Sequence, residues 1–304
     1  MDTIVEIQVY YHGPKNIDKI MKNALSKFLL IDSICGYNSI NGDIYNLNNK
    51  GKLKVSRYTN DIIKKAIDIS QITNGYFDIT INPIMNEWEH FSEPLKELPD
   101  SNRIKQLLKY VNFNGIKISG DTVSILDSMG IDLGGIAKGY AIDLAYDVLK
   151  ESNLDAFLIN AGGDIRVYSR NDKKWKIGIQ NPRENNILGY FEIKNGAVVT
   201  SGDYEKYIII NNKRYCHMIN PKTGFPENDI ASITIFANNA TFSDAIATAV
   251  GVMSDNAENF LANNNIHGII IRIKNKDFQI WESDSLKRKI TYEKGTMAKK
   301  IRKQ

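Results

Sequence analysis

The chain has 304 residues, 42% of them hydrophobic and 24% charged, with a net charge of +4. That is enough apolar material for one large domain or two intimately packed ones, without disulfide or metal staples. Cys35 and Cys216 lie far apart with no partner at metal-ligand spacing, and no apolar run approaches the length of a membrane span, which argues against a zinc site, a disulfide framework and a transmembrane helix.

Alternating Thr3, Val5, Ile7 and Val9 predict a strand over 3–11, with no basic and apolar leader ahead of it. Apolar residues at three- and four-residue spacing predict helices over 16–32 and 58–73. Asn and Gly between 38 and 51 mark a surface loop, and Gly75-Tyr76-Phe77-Asp78-Ile79-Thr80 reads as a turn and then a strand ending at Pro83. A helix near 101–110 and a hairpin near 114–126, turned at Gly120-Asp121, follow. Gly134-Gly135 then open a helix with a 3.6-residue stripe of Ile136, Ala137, Tyr140, Ala141, Leu144, Ala145, Val148 and Leu149. Short β-like runs come next, at Ala156 to Ile159, Trp175 to Ile179, Ala197 to Thr200, Tyr207 to Ile210 and Ile230 to Phe236. A helix over 241–253 and a strand from Ile269 to Ile273 close the series.

This order predicts an α+β fold of mixed, largely antiparallel sheets with packed helices. Residues 1–282 are expected to form two intimately packed subdomains, and 283–304 a basic, flexible tail. The tail's lysines and arginines are interleaved by a single aromatic, Tyr292, so they read as solvated charge and not as a nucleic-acid grip.

Four segments carry chemistry. Gly134-Gly135, directly after Asp132-Leu133, would let an anion reach the unpaired N–H groups of the helix start, with Lys138 one turn in; tight helix packing explains the glycines equally well. Asn160-Ala161-Gly162-Gly163-Asp164 and Thr200-Ser201-Gly202-Asp203-Tyr204 each end a strand, and serve either as plain turns or as ligand contacts. His217 stands at the mouth of a Pro- and Gly-fixed loop running to Pro226, where an imidazole could take a proton or simply be polar surface. Asp244 and Thr248 lie four apart, on one face of a helix, where they could share a hard cation; alternatively Thr241 and Asp244 form a capping box.

Together with Met1-Asp2-Thr3, Gly75 to Thr80 with Pro83 and Trp88, and Ile131 to Tyr140, these ordered blocks resemble the ApbE family of FAD:protein FMN transferases over residues 1 to about 282. The resemblance implies an ApbE-like, T-fold-like architecture. It also implies a magnesium-dependent enzyme that moves FMN from FAD to a Thr or Ser hydroxyl of an acceptor flavoprotein through a phosphoester bond, releasing AMP. It places magnesium on Gly135, Asp244 and Thr248, and FAD contacts at Met1, Tyr37, Tyr76, Phe77, Asp78, Asp132, Lys138 and Ser232. His217 and Asp244 would be the catalytic groups. The acceptor would be a membrane redox-pump subunit or an FMN-binding reductase domain. Alternatives are a magnesium-dependent FAD pyrophosphatase giving FMN and AMP, and a non-catalytic FAD-binding protein. Family members are commonly exported and lipid-anchored, whereas this chain shows no lipobox, because Cys35 falls inside a helical segment; cytoplasmic and leader-trimmed forms both stay open. One departure is Gly42-Asp43-Ile44, where many relatives carry Ser-Glu-Ile.

Overall fold

A computed structural model describes residues 3–91, 95, 97–274, 277–293 and 298–300. In the first third, β1 (Val5–Tyr10) leads to helices α1 (Ile17–Cys35) and α2 (Asp43–Lys50), then β2 (Lys52–Lys54), α3 (Arg57–Ile72), α4 (Asn82–Glu87) and α5 (Ser101–Leu107). The hairpin β3 (Lys117–Ser119) and β4 (Thr122–Ser124) precedes α6 (Ala137–Glu151). Seven strands follow: β5 (Ala156–Ala161), β6 (Asp164–Ser169), β7 (Trp175–Gln180), β8 (Ile187–Ile193), β9 (Gly196–Gly202), β10 (Tyr207–Ile210) and β11 (Lys213–Cys216). The chain ends with β12 (Ile230–Ala237), α7 (Ala240–Gly251), α8 (Ala257–Asn263), β13 (His267–Lys274), β14 (Asp277–Glu282), β15 (Thr291–Tyr292) and β16 (Ala298–Lys300).

The expected α+β class is what forms. An eight-stranded sheet runs β1-β5-β6-β9-β12-β13-β14-β16, antiparallel throughout except for its last pair. Side chains alternate across it. Phe157, Ile159, Ala197, Val199, Ile233, Ile235 and Ile270 face a layer of α1, α3, α6 and α7. Their neighbours Leu158, Val198, Ile269 and Ile271 face Trp175, Ile177, Ile179 and Phe191 of a small sheet ordered β15-β8-β7. Burial on both faces explains why Ala156 to Ile159 reads as an unbroken apolar run.

Two predicted segments come out differently. Residues 38–51 are not all loop: α2 forms because Ile44 and Leu47, three apart, are fully buried, and Gly51 ends it in the left-handed conformation. Residues 75–80 form turns and not a strand; sheet-like pairing there is one parallel bridge, Ile81 to Gly130, after which the chain enters α4 at Asn82-Pro83. A proline at the first helical turn suits that start. Strands β6, β8 and β14 and helices α4 and α8 add to the sequence reading. Within 283–304, Leu286 is buried on the small sheet and β15 pairs with β8.

Candidate active site

α7 is Ala-rich and buried on nearly every side, so α6 can approach it closely. The closest approach is at Gly139, where a Cβ would sit 2.3 Å from the carbonyl oxygen of Ala240 and 2.8 Å from Cβ of Asp244. The Gly139 amide instead donates to Asp244 Oδ2 at 2.8 Å. One turn along α7, Thr248 meets the mouth of α6: a Cβ on Gly135 would lie 3.0 Å from Thr248 Oγ1 and 3.3 Å from the Phe77 ring. The fold therefore brings Gly135, Asp244, Thr248 and Phe77 together. The capping-box alternative fails, because Asn239 caps α7 by accepting from the Phe242 amide at 2.8 Å, which leaves Asp244 to face α6.

Charge concentrates at the same place. Lys138 Nζ lies 2.9 Å from Asp164 Oδ2, a buried oxygen for which the lysine is the charged partner. The other oxygen of Asp164 accepts from the Thr200 amide. Burial pushes the Asp164 carboxyl up to about 6 against the pull of Lys138. Burial, and then the charge of Asp164, push Asp244 up to about 7. Glu205 is raised to about 7, first by the protein around it and then by Asp244, although its side chain is exposed. Burial disfavours the Lys138 ammonium, but Asp164, Asp244 and Glu205 outweigh it and hold the lysine charged.

Three carboxylates face one ammonium, and the shortfall is positive charge. Among the described residues no three His, Cys, Asp or Glu side chains form a metal cage. What converges is one carboxylate, one hydroxyl and the glycine backbone. A carboxylate, a hydroxyl and a backbone carbonyl are hard oxygen donors, the kind magnesium prefers.

The aromatic block borders this centre. The Tyr76 ring lies under Lys222 Nζ at 3.7 Å, and Phe77 is buried against Gly135. Asp78 is fully engaged inside the protein: Oδ1 accepts from the Thr80 amide and hydroxyl at 2.8 and 2.6 Å, and Oδ2 from the Phe113 amide at 3.0 Å. Its carboxylate braces the Tyr76-Phe77 turn from within. A cleft of about 300 Å³ between this turn and the Pro221 loop is lined by Gly75, Asp78, Asn112, Phe113 and Lys222. A larger one of about 420 Å³ lies apart, by Arg57, Asn60, Asp61, Lys64 and Asp121. Neither includes Asp244 or Lys138, so the charge cluster and not cavity size marks the centre.

Asp132 accepts from the Gly134 amide at 2.6 Å, shaping the glycine turn, and its other oxygen lies 3.3 Å from His90 Nδ1. The His90 ring stacks on Tyr37 with centroids 3.9 Å apart. His90 sits in a run of left-handed residues, Glu89 to Phe91, a strained arrangement of the kind found at ligand sites. Ser232 is buried on β12 opposite Gly202 and bonded to the Tyr204 hydroxyl, which in turn feels the charges of Glu205 and Asp164. Met1 is outside the described residues.

His217 follows β11 directly. Its ring Nδ1 and its backbone amide both lie 3.0 Å from the Lys206 carbonyl, which can only accept, so Nδ1 carries the proton and Nε2 has the free lone pair. Burial, reinforced by Lys138 and Lys206, lowers its pKa to about 4, so the ring is neutral at pH 7. The loop beyond is rigid: Asn220 Oδ1 accepts from Lys222 N, and Trp88 Nε1 donates to Gly224 O at 3.0 Å. Asp164 and Glu205 belong to the site although the sequence reading did not single them out; each ends or adjoins a strand-end block that it did mark. His90 carried no such signal.

The ApbE family profile matches residues 1–270. The chain belongs to the ApbE family. Among curated relatives, the FAD:protein FMN transferase of Vibrio cholerae serotype O1 is 29% identical over 241 residues, covering 77% of this chain and 72% of that protein. That of Escherichia coli K12 is 27% identical over 252 residues, covering 79% and 72%. Among solved structures, the ApbE protein of Thermotoga maritima superposes with a TM-score of 0.86 at 27% identity, over 94% of this chain and 98% of that one. The flavin transferase ApbE from Vibrio cholerae shares the fold with a TM-score of 0.84 at 24% identity, over 94% and 96%. No helix among the described residues is long and apolar enough to cross a membrane.

Proposed function

We propose that this ApbE-family chain transfers the FMN half of FAD to a threonine or serine hydroxyl of an acceptor flavoprotein, forming a phosphoester and releasing AMP. The observation that carries the reading is the meeting of Asp244 and Thr248 with the glycine-led mouth of α6, beside Lys138.

The diphosphate of FAD would lie at the α6 N-terminus, where the helix dipole favours an anion. Tyr76, Phe77, Asp132 and Tyr37 line the approach, and Asp78 acts as a positioning residue for that turn. Gly135 through its carbonyl, Asp244 and Thr248 would hold magnesium; when bound, the ion neutralises charge on the phosphoryl oxygens and on the departing phosphate. Lys138 adds a fixed positive charge to the same oxygens. The acceptor oxygen attacks the FMN phosphorus as His217 Nε2 takes its proton, and the phosphorus–oxygen bond to AMP breaks with its electron pair leaving on AMP. A neutral imidazole in a fixed tautomer is suited to that proton transfer. Fitting acceptors are a redox-pump subunit of a membrane or an FMN-binding reductase domain.

The test is to incubate the protein with FAD, magnesium and such a domain, and to weigh the domain. An FMN-sized mass gain with release of AMP supports transfer. Free FMN without adduct would make the chain a pyrophosphatase, and intact FAD a flavin-binding protein.

A further inference from the structure

Asp143 lies on α6 one turn beyond Gly139 and takes no part in the chemistry above. Its Oδ1 accepts from the Ala240 amide at 2.8 Å and from Arg166 Nη1 at 2.6 Å. Its Oδ2 accepts from the Thr241 amide at 2.9 Å and from the Thr241 hydroxyl at 2.5 Å. The two amides open α7 and have no partner within their own helix. A carboxylate of α6 thus holds the N-terminus of α7, while a carboxylate of α7, Asp244, takes the Gly139 amide of α6. The helices exchange one acidic side chain in each direction, on either side of their closest approach.

Arg166 braces this exchange from β6. It donates to the Asn238 carbonyl at 3.2 Å and stacks 3.5 Å above the Tyr146 ring. Its buried Nε has no hydrogen-bond partner, so the guanidinium is placed chiefly by Asp143, Asn238 and that ring. Asp244 and Thr248 follow the held end of α7 by three and seven residues, roughly one and two helical turns. Gly135 stands just ahead of α6, eight residues before Asp143. Any slip of α7 along α6 therefore moves two of the cation's ligands relative to the third.

We propose that Asp143, braced by Arg166, is a positioning residue that sets the register of α7 against α6 and so the divalent-cation affinity of the Gly135, Asp244 and Thr248 site. This rests on reading that site as the cation site. An ordinary cap would stabilise α7 and leave cation affinity alone, which separates the two roles.

The experiment titrates Mn²⁺ by electron paramagnetic resonance, with ADP as the diphosphate probe, and records melting of the metal-free protein in parallel. Asp143→Asn removes one acceptor oxygen from a cluster of four donors. The binding midpoint is expected to rise about three- to tenfold, below or at the lower end of what a direct partner of a metal ligand costs. Thr241→Val, which removes one bond and keeps α7 intact, is expected to raise it about twofold, and serves should Asp143→Asn not fold. A wild-type Mn²⁺ midpoint in Thr241→Val together with Asp143→Asn, or in Thr241→Val alone should the other not fold, even with a lowered melting temperature, overturns the proposal. Asp244→Ala is the separate control: if it binds Mn²⁺ as well as wild type does, the cation-site reading itself falls, and the proposal with it.

Discussion

Gly139→Ala is the sharpest perturbation of the helix crossing. Inside α6 the substitution should help on propensity alone, by about 1 kcal/mol. The new methyl, however, would stand 2.3 Å from the Ala240 carbonyl oxygen and 2.7 Å from its carbon, both backbone atoms, where ordinary contact begins near 3.4 Å. The helices must part by about 1 Å, and overpacking of that kind costs about 1–3 kcal/mol, more where backbone has to give. Steric cost outweighs propensity, so a net loss of about 1–2 kcal/mol is expected. For a chain of this size that lowers the melting temperature by about 2–3 °C. The same separation pulls Asp244 from the Gly139 amide and Thr248 from Gly135, and a 1 Å displacement of reacting groups can cost about a hundredfold in rate. Thermal melting and the mass-based transfer assay measure the two effects. A higher melting temperature with wild-type transfer would refute the close crossing on which the site is built.

Other consequences are equally direct. Because burial holds the Asp244 carboxyl up to about 7, a proton competes with the cation below that pH; Mg²⁺ affinity should rise about tenfold per pH unit up to about 7 and level off above it, as titrations from pH 5.5 to 8 would show. His217 is lowered to about 4 from an ordinary value of 6.5, so its contribution to stability is full above 6.5 and is lost as the pH falls towards 4; His217→Gln should flatten that limb of the stability curve in denaturant titrations. Asp78→Ala leaves the Thr80 and Phe113 donors unmatched in a buried turn and should cost about 2–4 kcal/mol, with FAD binding weakened through loss of the Tyr76-Phe77 turn.

Helices with a clean apolar stripe, α6 above all, were legible because each makes its pattern from residues three and four apart. The continuous run of β5 was also legible, since burial on both sheet faces leaves no polar alternation. Helix α2 was hidden by its asparagines: only Ile44 and Leu47 are buried there, too few to show a period. The Tyr76 turn read as a strand because its aromatics resemble one, whereas the three bonds to Asp78 come from Thr80 and the distant Phe113. At the site, Asp244 was ambiguous locally, since whether it caps its own helix or faces α6 depends on a crossing 105 residues away in sequence. Asp143 acts through such long-range contacts alone, and local pattern carries no trace of it.

The central claim is that a divalent cation sits where α7 meets the mouth of α6. Anomalous diffraction from crystals soaked with Mn²⁺ and ADP tests it most directly. A manganese peak within coordination distance of the Asp244 carboxylate, the Thr248 hydroxyl and the Gly135 carbonyl is the expected result. A peak placed on Asp164 or Glu205 with Asp244 still bonded only to Gly139, or no peak in the cleft, would contradict it.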